Sequence, residues 1–357
     1  MAQQKASAAR ERRRGRARVA VAGATGYAGS ELVRLLAKHP GVELVSLMSS
    51  GRSGSAAAPA EASHPALRGI TQIPVVPLDR EALTSAEADL VFLATPHEAA
   101  HELAPELLDR GLKVIDLSAA FRLRDRRDYP AWYGFEHRAG GALAEAVYGL
   151  PELNGPAIRA ARLVANPGCY PTSVILALAP LLNAAVVDLS AGIVVDAKSG
   201  ATGAGRSLRD DLLFASINEN CRAYGIFSHR HVPEMLQELN LKPENFLFTP
   251  HLLPLSRGLL STIYVRVIAG AGEADLANRY RDAYAHAPLV RIYEDGKLPE
   301  IAAVARTAFA DIGFALDTTT RRCVIVSALD NLGKGAAAQA IQNMNLMLDY
   351  PEAQGLE

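Results

Sequence analysis

Residues 18–29 read R-V-A-V-A-G-A-T-G-Y-A-G and place a glycine-rich turn directly after a short apolar run. The run Arg18 to Ala22 predicts a β-strand, and the amphipathic segment Ser30 to Lys38 beyond the turn predicts a helix. In such a unit, glycines permit a tight turn and let the backbone approach a pyrophosphate at the positive end of the helix. A tight turn can also need glycine for structural reasons alone, so the pattern by itself leaves that alternative open.

Further apolar runs alternate with helical segments along the first half of the chain. Strands are predicted at residues 42–48, 88–94 and 112–117, and a helix is predicted at residues 98–108. Alternation at short spacing, with apolar residues along whole strands, indicates a parallel sheet that is covered by helices on both faces. We therefore expect an α/β fold with a Rossmann-type doubly wound sheet in residues 17–165.

The second half of the chain has a different pattern. Residues 122–156 mix arginine, tyrosine, proline and glycine without a clear period, which predicts long connections toward a second domain. A second domain agrees with the length of 357 residues, which exceeds the usual size of a single core. Helices are predicted at residues 173–182 and 336–348. The predicted strands of a second sheet, mixed or antiparallel, lie at residues 191–197, 262–269 and 323–328.

Composition excludes several classes of function. Hydrophobic residues make up 49% of the chain, charged residues 21%, and the formal net charge is −1, so no global field attracts nucleic acid or an anionic membrane. No run approaches the ~20 apolar residues of a membrane helix, and Met1 to Gly15 lacks the apolar core of a secretory signal. Arginines crowd residues 10–18; we interpret residues 1–16 as a disordered basic tail rather than a nucleic-acid arm or a presequence.

The cysteines favour a reducing compartment. Cys169, Cys221 and Cys323 lie far apart and are odd in number, which speaks against a disulfide framework and predicts a cytoplasmic protein. The chain has no C-x-x-C or H-E-x-x-H pattern, so we expect no metal site.

The end of the second predicted strand bears on the choice of cofactor. NAD enzymes usually place a carboxylate there, about 20 residues after the glycines, to bind the ribose hydroxyls. Residues 47–53 contain no carboxylate and instead carry hydroxyls and an arginine. This set of side chains suits a 2′-phosphate, so we expect NADP(H). An ordinary polar loop without a ligand could have the same composition and is the alternative. The expected cofactor-binding residues of this domain are Gly23, Thr25, Gly26, Tyr27, Ala28, Gly29, Ser49, Ser50, Arg52, Thr95 and Pro96.

A candidate nucleophile lies at the centre of the chain. Residues 166–172 read N-P-G-C-Y-P-T and precede an apolar helix. A cysteine that enters a helix N-terminus meets free N–H groups and the positive end of the helix dipole, so we expect Cys169 to have a lowered pKa. The same amides can hold an oxyanion after the sulfur attacks a carbonyl. A buried structural cysteine is the alternative.

Two histidines are the candidate bases for this thiol. Residues 228–234 read S-H-R-H-V-P-E, and Pro233 indicates the first turn of a helix that runs to Leu239. This places His231 at the N-cap end of that helix, facing outward. His229 and His231 could instead bind a metal or be structural, but no third metal ligand is evident.

Six motifs together resemble the N-acetyl-γ-glutamyl-phosphate reductase family, relatives of the aspartate-semialdehyde dehydrogenases. The cysteine and histidine motifs are specific in combination, whereas the glycine turn is not. The resemblance spans residues 19–348. The motifs are N-P-G-C-Y-P-T at 166–172, G-A-T-G-Y-A-G at 23–29, D-L-S-A-A-F-R at 116–122, S-H-R-H-V-P-E at 228–234, K-S-G-A-T-G-A-G-R at 198–206 and N-L-G-K-G-A-A-A-Q-A at 331–340.

The resemblance implies a role for individual residues. Cys169 would be the acyl acceptor, His231 the general acid/base, and Arg122 the group that grips the transferable phosphate. His229 or Arg206 would hold the α-carboxylate of the substrate. Ser118 and Asn166, which lie in two of the motifs, are further expected substrate-binding residues. The expected nicotinamide-flanking residues are Ser199, Gly200 and Asn331.

The resemblance also implies a fold and a reaction. A C-terminal helix at residues 331–350 would complete the NADP-binding domain at 17–165, and residues 166–330 would form an α+β substrate and dimerisation domain. The implied reaction reduces an acyl phosphate to a semialdehyde through a cysteine thioester, in a homodimer or homotetramer. Three alternatives stay open: an aminoadipyl phosphate reductase that uses a carrier protein, an aspartate-semialdehyde dehydrogenase, which the histidine motif disfavours, and a non-catalytic NADP-binding regulator.

Overall fold

The computed structural model describes residues 15–49, 56–85 and 87–356 and divides the chain into two compact units. The first unit combines the chain up to Phe121 with Arg138–Asn166 and the end of the chain from Ala340. The second unit contains Arg122–His137 and Pro167–Gln339. Most of the expected basic tail, together with Ser50 and Arg52, lies outside the described residues.

The first unit contains a parallel sheet with the strand order β3-β2-β1-β4-β5-β7-β6 in the described part of the chain. Strands β1 and β4 pair at its centre and are almost entirely buried, because helices cover both faces. The expected doubly wound α/β fold is confirmed. The strands are β1 (Ala17–Ala22), β2 (Val42–Met48), β3 (Val75–Val76), β4 (Leu90–Leu93), β5 (Lys113–Asp116), β6 (Val147–Tyr148) and β7 (Leu163–Ala165).

The second unit contains a mixed sheet with the order β12-β13-β14-β11-β8-β10-β9 among the described residues. Strand β8 is parallel to β10 and antiparallel to β11, so the sheet is mixed, the first of the two arrangements, mixed or antiparallel, that the sequence leaves open. The strands are β8 (Ile193–Gly200), β9 (Arg222–Ala223), β10 (Phe246–Leu253), β11 (Leu259–Arg266), β12 (Val290–Ile292), β13 (Ala310–Asp317) and β14 (Arg322–Leu329).

Helices connect these strands. In chain order they are α1 (Tyr27–Leu36), α2 (Ala60–Ser63), α3 (Arg80–Ser85), α4 (His97–Asp109), α5 (Tyr129–Tyr133), α6 (Gly140–Glu145), α7 (Pro151–Ala160), α8 (Cys169–Asn183), α9 (Phe214–Ile217), α10 (Val232–Leu239), α11 (Glu273–Tyr284), α12 (Ile301–Val304) and α13 (Ala338–Met347). Among residues 15–49, 56–85 and 87–356, no helix has both the length and the apolar composition needed to cross a membrane.

The division between the units differs from the expected boundaries in two places. Residues 122–137 belong to the second unit although they fall inside the expected first domain, and residues 122–156 form short elements rather than long connections. Prolines account for two of these elements, since Pro130 and Pro151 lie in the first turns of α5 and α7, where proline is tolerated.

The second difference concerns the C-terminal helix. Residues 331–339 remain in the second unit, and the first unit resumes only at Ala340. Asp330 explains part of this, because its buried carboxylate accepts from the amides of Leu332 and Gly333 at 2.8 Å each. It thereby fixes a π-helical turn at Gly333–Ala337 before α13 begins.

Candidate active site

Cys169 is the first residue of helix α8, four residues earlier than the predicted helix start. Gly168 is the N-cap in an extended conformation, and Pro171 occupies the first turn, where its missing N–H costs nothing. The backbone amides of Tyr170 and Cys169 lie close enough to the thiol of Cys169 to lower its pKa. Pro171, the next residue of the first turn, has no N–H to add to them.

A cavity of about 460 Å³ in the second unit opens at this thiol. Its volume lies in the range of sites for small molecules. The lining includes Cys169, both histidines of the S-H-R-H-V-P-E motif, aromatic side chains and three arginines. These residues are Trp132, Tyr170, Ser199, Gly200, Gly203, Ala204, Arg209, Asp211, Leu212, Arg222, Tyr224, Gly225, Ser228, His229, Arg230, His231 and Leu252.

His231 is the N-cap residue of α10, as predicted, but its ring does not face outward. The imidazole lies against Gly168: a Cβ atom added to that glycine would lie 2.6 Å from His231 Nε2. Burial, followed by the charges of His229, Arg122 and Arg230, holds the pKa of His231 well below its usual value. The imidazole is therefore neutral at pH 7 and able to accept a proton.

His229 positions its neighbour. The backbone N–H of His231 donates to His229 Nδ1 at 3.1 Å, and the two rings meet edge to face with centroids 4.8 Å apart. Burial lowers the pKa of His229 to about 4, so its ring is neutral at pH 7. A neutral ring with Nδ1 already accepting gives a substrate carboxylate no positive charge to bind.

Arg122 and Glu234 form a buried ion pair beside the nucleophile. Arg122 Nη1 donates to Glu234 Oε1 at 3.1 Å, and the side chains are 8% and 0% exposed. The second oxygen of Glu234 accepts from the backbone N–H of Gly168 at 3.1 Å. Arg122 is not among the residues that line the cavity, and its guanidinium faces the carboxylate of Glu234. The expectation that Arg122 grips the phosphate stays a prediction.

The thiol differs from expectation in its protonation. Burial raises the pKa of Cys169 to about 11, although the amide of Tyr170 and the charge of Arg122 lower it. The helix amides therefore offset only part of the desolvation that burial imposes on a thiolate. In the unliganded protein the pair consists of a neutral thiol and a neutral imidazole rather than a preformed ion pair.

This protonation state predicts the pH dependence of alkylation. With a pKa near 11, the thiolate fraction is on the order of 10⁻³ at pH 8 and rises about tenfold per pH unit. We expect the rate at which iodoacetamide modifies Cys169 to rise steeply up to about pH 10, measured by peptide mass spectrometry in a Cys221→Ser background. The Cys221→Ser change removes an exposed competing thiol. A rate that levels off below pH 8 would instead support the lowered pKa first expected.

The glycine turn joins β1 to α1 in the first unit. Gly23 has a φ of +91°, and a Cβ there would lie 2.2 Å from the carbonyl oxygen of Ala94. A Cβ on Gly29 would lie 2.1 Å from the oxygen of Gly23. Close packing thus explains why both positions require glycine. Packing does not explain Gly26, the N-cap of α1, because a Cβ there would contact only the oxygen of Gly23 at 3.6 Å, an ordinary distance.

Gly26 is therefore the glycine whose surroundings fit a bound pyrophosphate. Helix α1 begins at Tyr27, earlier than the predicted Ser30, so the amides of Tyr27 and Ala28 lie in its first turn. Such amides and the helix dipole favour phosphate. His64 Nε2 hydrogen-bonds the backbone oxygen of Thr25 at 2.9 Å and supports the turn. The sequence interpretation did not include His64, since no local pattern links it to residues 23–29.

This difference between the glycines leads to a prediction. Gly26→Ala has space for its methyl group, so we expect it to preserve the melting temperature while raising the KM for NADP(H) by about tenfold. Gly29→Ala forces backbone atoms apart and should lower the melting temperature. Thermal unfolding and steady-state kinetics of both variants test this. An unchanged KM for NADP(H) in the Gly26→Ala variant would show that Gly26 has no role in cofactor binding.

The other expected cofactor residues divide between the units. Thr95 follows β4 in the first unit, where its amide lies 3.0 Å from the position of a Cβ on Gly23. This is the point between β1 and β4 where the order of strands reverses, the usual place for a dinucleotide. Pro96 is the N-cap of α4, and Ser49 is buried at the end of β2.

Ser199 and Gly200 end strand β8 in the second unit and line the cavity with Cys169. Asn331 does not line it. Its amide accepts from Gly258 N–H at 2.8 Å and donates to Thr202 Oγ1 at 2.9 Å, which holds the turn that follows Gly200.

Three expected substrate residues are not among those that line this cavity. Ser118 and Asn166 belong to the first unit; Asn166 Oδ1 accepts from Asn343 at 3.0 Å, and Ser118 Oγ accepts from Ala120 N–H at 3.1 Å. Arg206 is exposed and does not line the cavity. In the same described ranges, no group of three or more histidine, cysteine, aspartate or glutamate side chains is arranged to hold a metal ion.

Two family models match the chain. Residues 18–161 match the NAD binding domain of semialdehyde dehydrogenases, and residues 169–331 match their dimerisation domain. Among solved structures, aspartate semialdehyde dehydrogenase II from Vibrio cholerae superposes with a TM-score of 0.68 at 19% identity, over 94% of this chain and 99% of that one. The enzyme from Candida albicans, solved with NADP, gives 0.68 at 16% identity over 94% and 99%. These structures share the fold.

Curated relatives are much closer in sequence. The N-acetyl-gamma-glutamyl-phosphate reductase of Pelotomaculum thermopropionicum is 48% identical over 342 residues, which cover 95% of this chain and 97% of the relative. The reductase of that name from Alkaliphilus metalliredigens is 47% identical over 341 residues, with 94% and 97% covered. Identity of this level along nearly the whole length of both chains places this chain in the N-acetyl-γ-glutamyl-phosphate reductase family.

Proposed function

We propose that this protein reduces N-acetyl-γ-glutamyl phosphate to N-acetylglutamate 5-semialdehyde, a step of arginine biosynthesis, with Cys169 as the acyl acceptor. The observation that carries the proposal is the first turn of α8, where the amides of Cys169 and Tyr170 lie near the thiol and the neutral His231 ring lies against Gly168. The relatives named above carry this activity in their names. Neither the carrier-dependent reductase nor a non-catalytic regulator is favoured by them.

The first half-reaction forms the thioester. His231 accepts the proton of Cys169, and the sulfur attacks the γ-carbonyl carbon of the acyl phosphate. The amides of Cys169 and Tyr170 hold the oxyanion. The carbon–oxygen bond to phosphate then breaks, and phosphate leaves and takes a proton from water. The raised pKa of Cys169 suits this order, since the proton moves only when an electrophile is at the sulfur.

The second half-reaction releases the aldehyde. NADPH, when bound at the glycine turn, supplies the hydride. His231, now an imidazolium, gives its proton to the oxygen that develops on the thioester carbon. The same ring takes the hydroxyl proton back as the carbon–sulfur bond breaks, and the departing thiolate regains it. The resting thiol and neutral imidazole are thereby restored.

Arg230 is our candidate for the first contact with the phosphate. Arg209 and Arg222 share the carboxylate of Asp211, whereas no carboxylate of the described residues lies within ion-pair distance of Arg230. Its guanidinium is exposed and lines the cavity that also contains Cys169. Arg122 acts on the nucleophile without lining the cavity. Its charge favours the thiolate, and its ion pair holds Glu234, which accepts from the backbone N–H of Gly168.

The reverse reaction tests the proposed function. N-acetylglutamate semialdehyde, inorganic phosphate and NADP⁺ should together produce NADPH, and omission of phosphate should stop the reaction. Aspartate semialdehyde, run in parallel, should give a far lower kcat/KM. A preference for aspartate semialdehyde, or no phosphate-dependent turnover with either aldehyde, would overturn the proposal.

We propose NADP(H) as the cofactor because residues 47–53 carry no carboxylate for the ribose hydroxyls and include Arg52. The KM for NADP(H) should be at least about tenfold below that for NAD(H), and Arg52→Ala should narrow this gap. Steady-state kinetics with both cofactors measure it. Equal use of the two by the unmodified protein would contradict the assignment.

The same comparisons and chemistry support proposals for the assembly and the compartment. The match of residues 169–331 to a dimerisation domain supports a homodimer or a homotetramer built from dimers, which sedimentation would measure. We place the reaction in the cytoplasm, because a reducing compartment keeps the Cys169 thiol available.

A further inference from the structure

The N-L-G-K-G-A-A-A-Q-A motif at residues 331–340 contains a π-helical turn that the reaction steps above do not use. The turn spans Gly333–Ala337, and Gly335 N–H donates to the backbone oxygen of Asp330, five residues earlier, at 2.9 Å. π-Helical turns are rare in proteins, and those that occur are frequently found at functional sites. This turn packs against helix α8, the helix that begins at Cys169.

Gly335 brings the backbone of this turn against the nucleophile. A Cβ atom added to Gly335 would lie 2.7 Å from Cys169 Cβ, and 3.1 Å from both Asp330 O and Leu329 Cδ1. The φ of Gly335 is not in the left-handed region, so its backbone conformation does not require glycine. Helices also disfavour glycine more than any other residue except proline. The reason for a glycine here is therefore space, and above all the space that Cys169 Cβ occupies.

Contacts on the other sides of the turn keep it in place. The carboxylate of Asp330 is fully buried and accepts from Arg257 Nε at 2.8 Å and Nη2 at 2.9 Å, besides the two amides at the start of the turn. Gly333 lies close to a second segment, since a Cβ atom there would lie 2.3 Å from the backbone oxygen of Thr307. A turn held in this way resists displacement, so we expect a methyl group on Gly335 to displace Cys169.

We propose that Gly335 is a positioning residue for Cys169, because its lack of a side chain lets the turn form a fixed wall behind the Cβ atom of the cysteine. The sulfur is bonded to that atom, so the position of Cβ determines where the sulfur meets the carbonyl carbon of the acyl phosphate. Reacting atoms must lie about 3–3.5 Å apart and aligned, and a displacement of about 1 Å lowers the rate on the order of 10²-fold. The inference rests on the proposed function, since it assigns Gly335 to the step in which Cys169 accepts the acyl group.

Gly335→Ala tests the kinetic part of the inference. Ordinary contact between two carbon atoms requires about 3.5–4.0 Å, so the Cβ atom of Cys169 must shift by about 1 Å. We expect acylation of Cys169 by N-acetyl-γ-glutamyl phosphate, without NADPH, to slow by about 10²-fold, measured as the rate of mass gain on Cys169. The Kd for NADP⁺ should stay unchanged. Gly141→Ala, in helix α6 where a methyl group meets nothing within 4 Å, should leave both constants unchanged.

A second measurement, thermal unfolding, shows whether the clash is with Cys169 itself. Cys169→Gly removes the Cβ atom at 2.7 Å, so Gly335→Ala should lower the melting temperature clearly less in the Cys169→Gly background than in the unmodified protein. Gly333→Ala is the matched control, because its clash in the same turn is with Thr307. It should lower the melting temperature by the same amount in both backgrounds. If Gly335→Ala alone fails to fold, recovery of a folded double variant is the same result.

The outcomes separate this inference from the proposed function. If N-acetyl-γ-glutamyl phosphate leaves no adduct on Cys169 of the unmodified enzyme, the proposed function fails, and the inference fails with it. If the unmodified enzyme is acylated and Gly335→Ala is acylated at the same rate, Gly335 does not position the nucleophile and the inference alone is overturned. Equal losses of melting temperature from Gly335→Ala in both backgrounds would also overturn it, because the turn and not Cys169 would then absorb the methyl group.

Discussion

Cys169→Ser is expected to lose turnover by on the order of 10⁴-fold or more while it keeps its fold and its affinity for NADP(H). A serine hydroxyl is far less acidic than a thiol, and burial at this position disfavours an anion further, as it does for the thiol itself. Serine is also a poor leaving group when the tetrahedral intermediate collapses. The measurement is kcat for the reverse reaction, with thermal unfolding and cofactor titration as controls for the fold.

The same prediction has a chemical readout that does not depend on turnover. Incubation of the unmodified enzyme with acyl phosphate, without NADPH, should leave a mass adduct on Cys169. Cys221, which is exposed, and Cys323, which is buried in the second sheet, serve as internal controls in the same digest. An adduct on either of these, or full activity of the serine variant, would refute the covalent assignment.

The sequence predicts the elements of the site better than their electrostatics. The helix that starts near Cys169 and the histidine at the start of α10 could both be predicted, because proline and glycine mark helix termini locally. Helix α8 starts four residues before the predicted start, because Pro171 breaks the helical pattern in the sequence although a first turn accommodates proline. Such errors are small because the deciding interactions lie within a few residues.

The raised pKa of Cys169 could not be predicted in the same way. A helix N-terminus is a local feature and lowers a thiol pKa, but desolvation depends on all the chain that packs around the sulfur. The contact of Glu234 with Gly168 could not be predicted for a similar reason. It lies in the S-H-R-H-V-P-E motif, yet its link to Gly168 spans 66 residues and forms only when α10 packs on α8. Pairing over such distances has no periodic signature in a single sequence.

Gly168 is where these long-range contacts meet, and its replacement tests them together. The backbone N–H of Gly168 is held by Glu234, and its Cα faces the ring of His231. The φ of −69° and ψ of 154° are open to any residue, so alanine introduces no backbone strain. The effect of Gly168→Ala is therefore steric. Its new Cβ would lie 2.6 Å from His231 Nε2 and 2.8 Å from two ring carbons.

Gly168→Ala should lower kcat by about 10²-fold or more and leave the KM for NADP(H) unchanged. Ordinary contact between such atoms requires ~3.5 Å, so the imidazole must shift by about 1 Å. A displacement of that size in a catalytic group lowers the rate on the order of 10²-fold.

A double variant tests whether this loss acts through His231. His231→Asn alone should lower kcat by ~10²–10⁴-fold. If alanine acts through the ring, the two losses will not add in the double variant. Gly140→Ala, in a helix where a methyl group meets open space, is the matched control and should retain full activity. Losses that multiply in the double variant would mean that Gly168 serves the thiol by a route independent of His231.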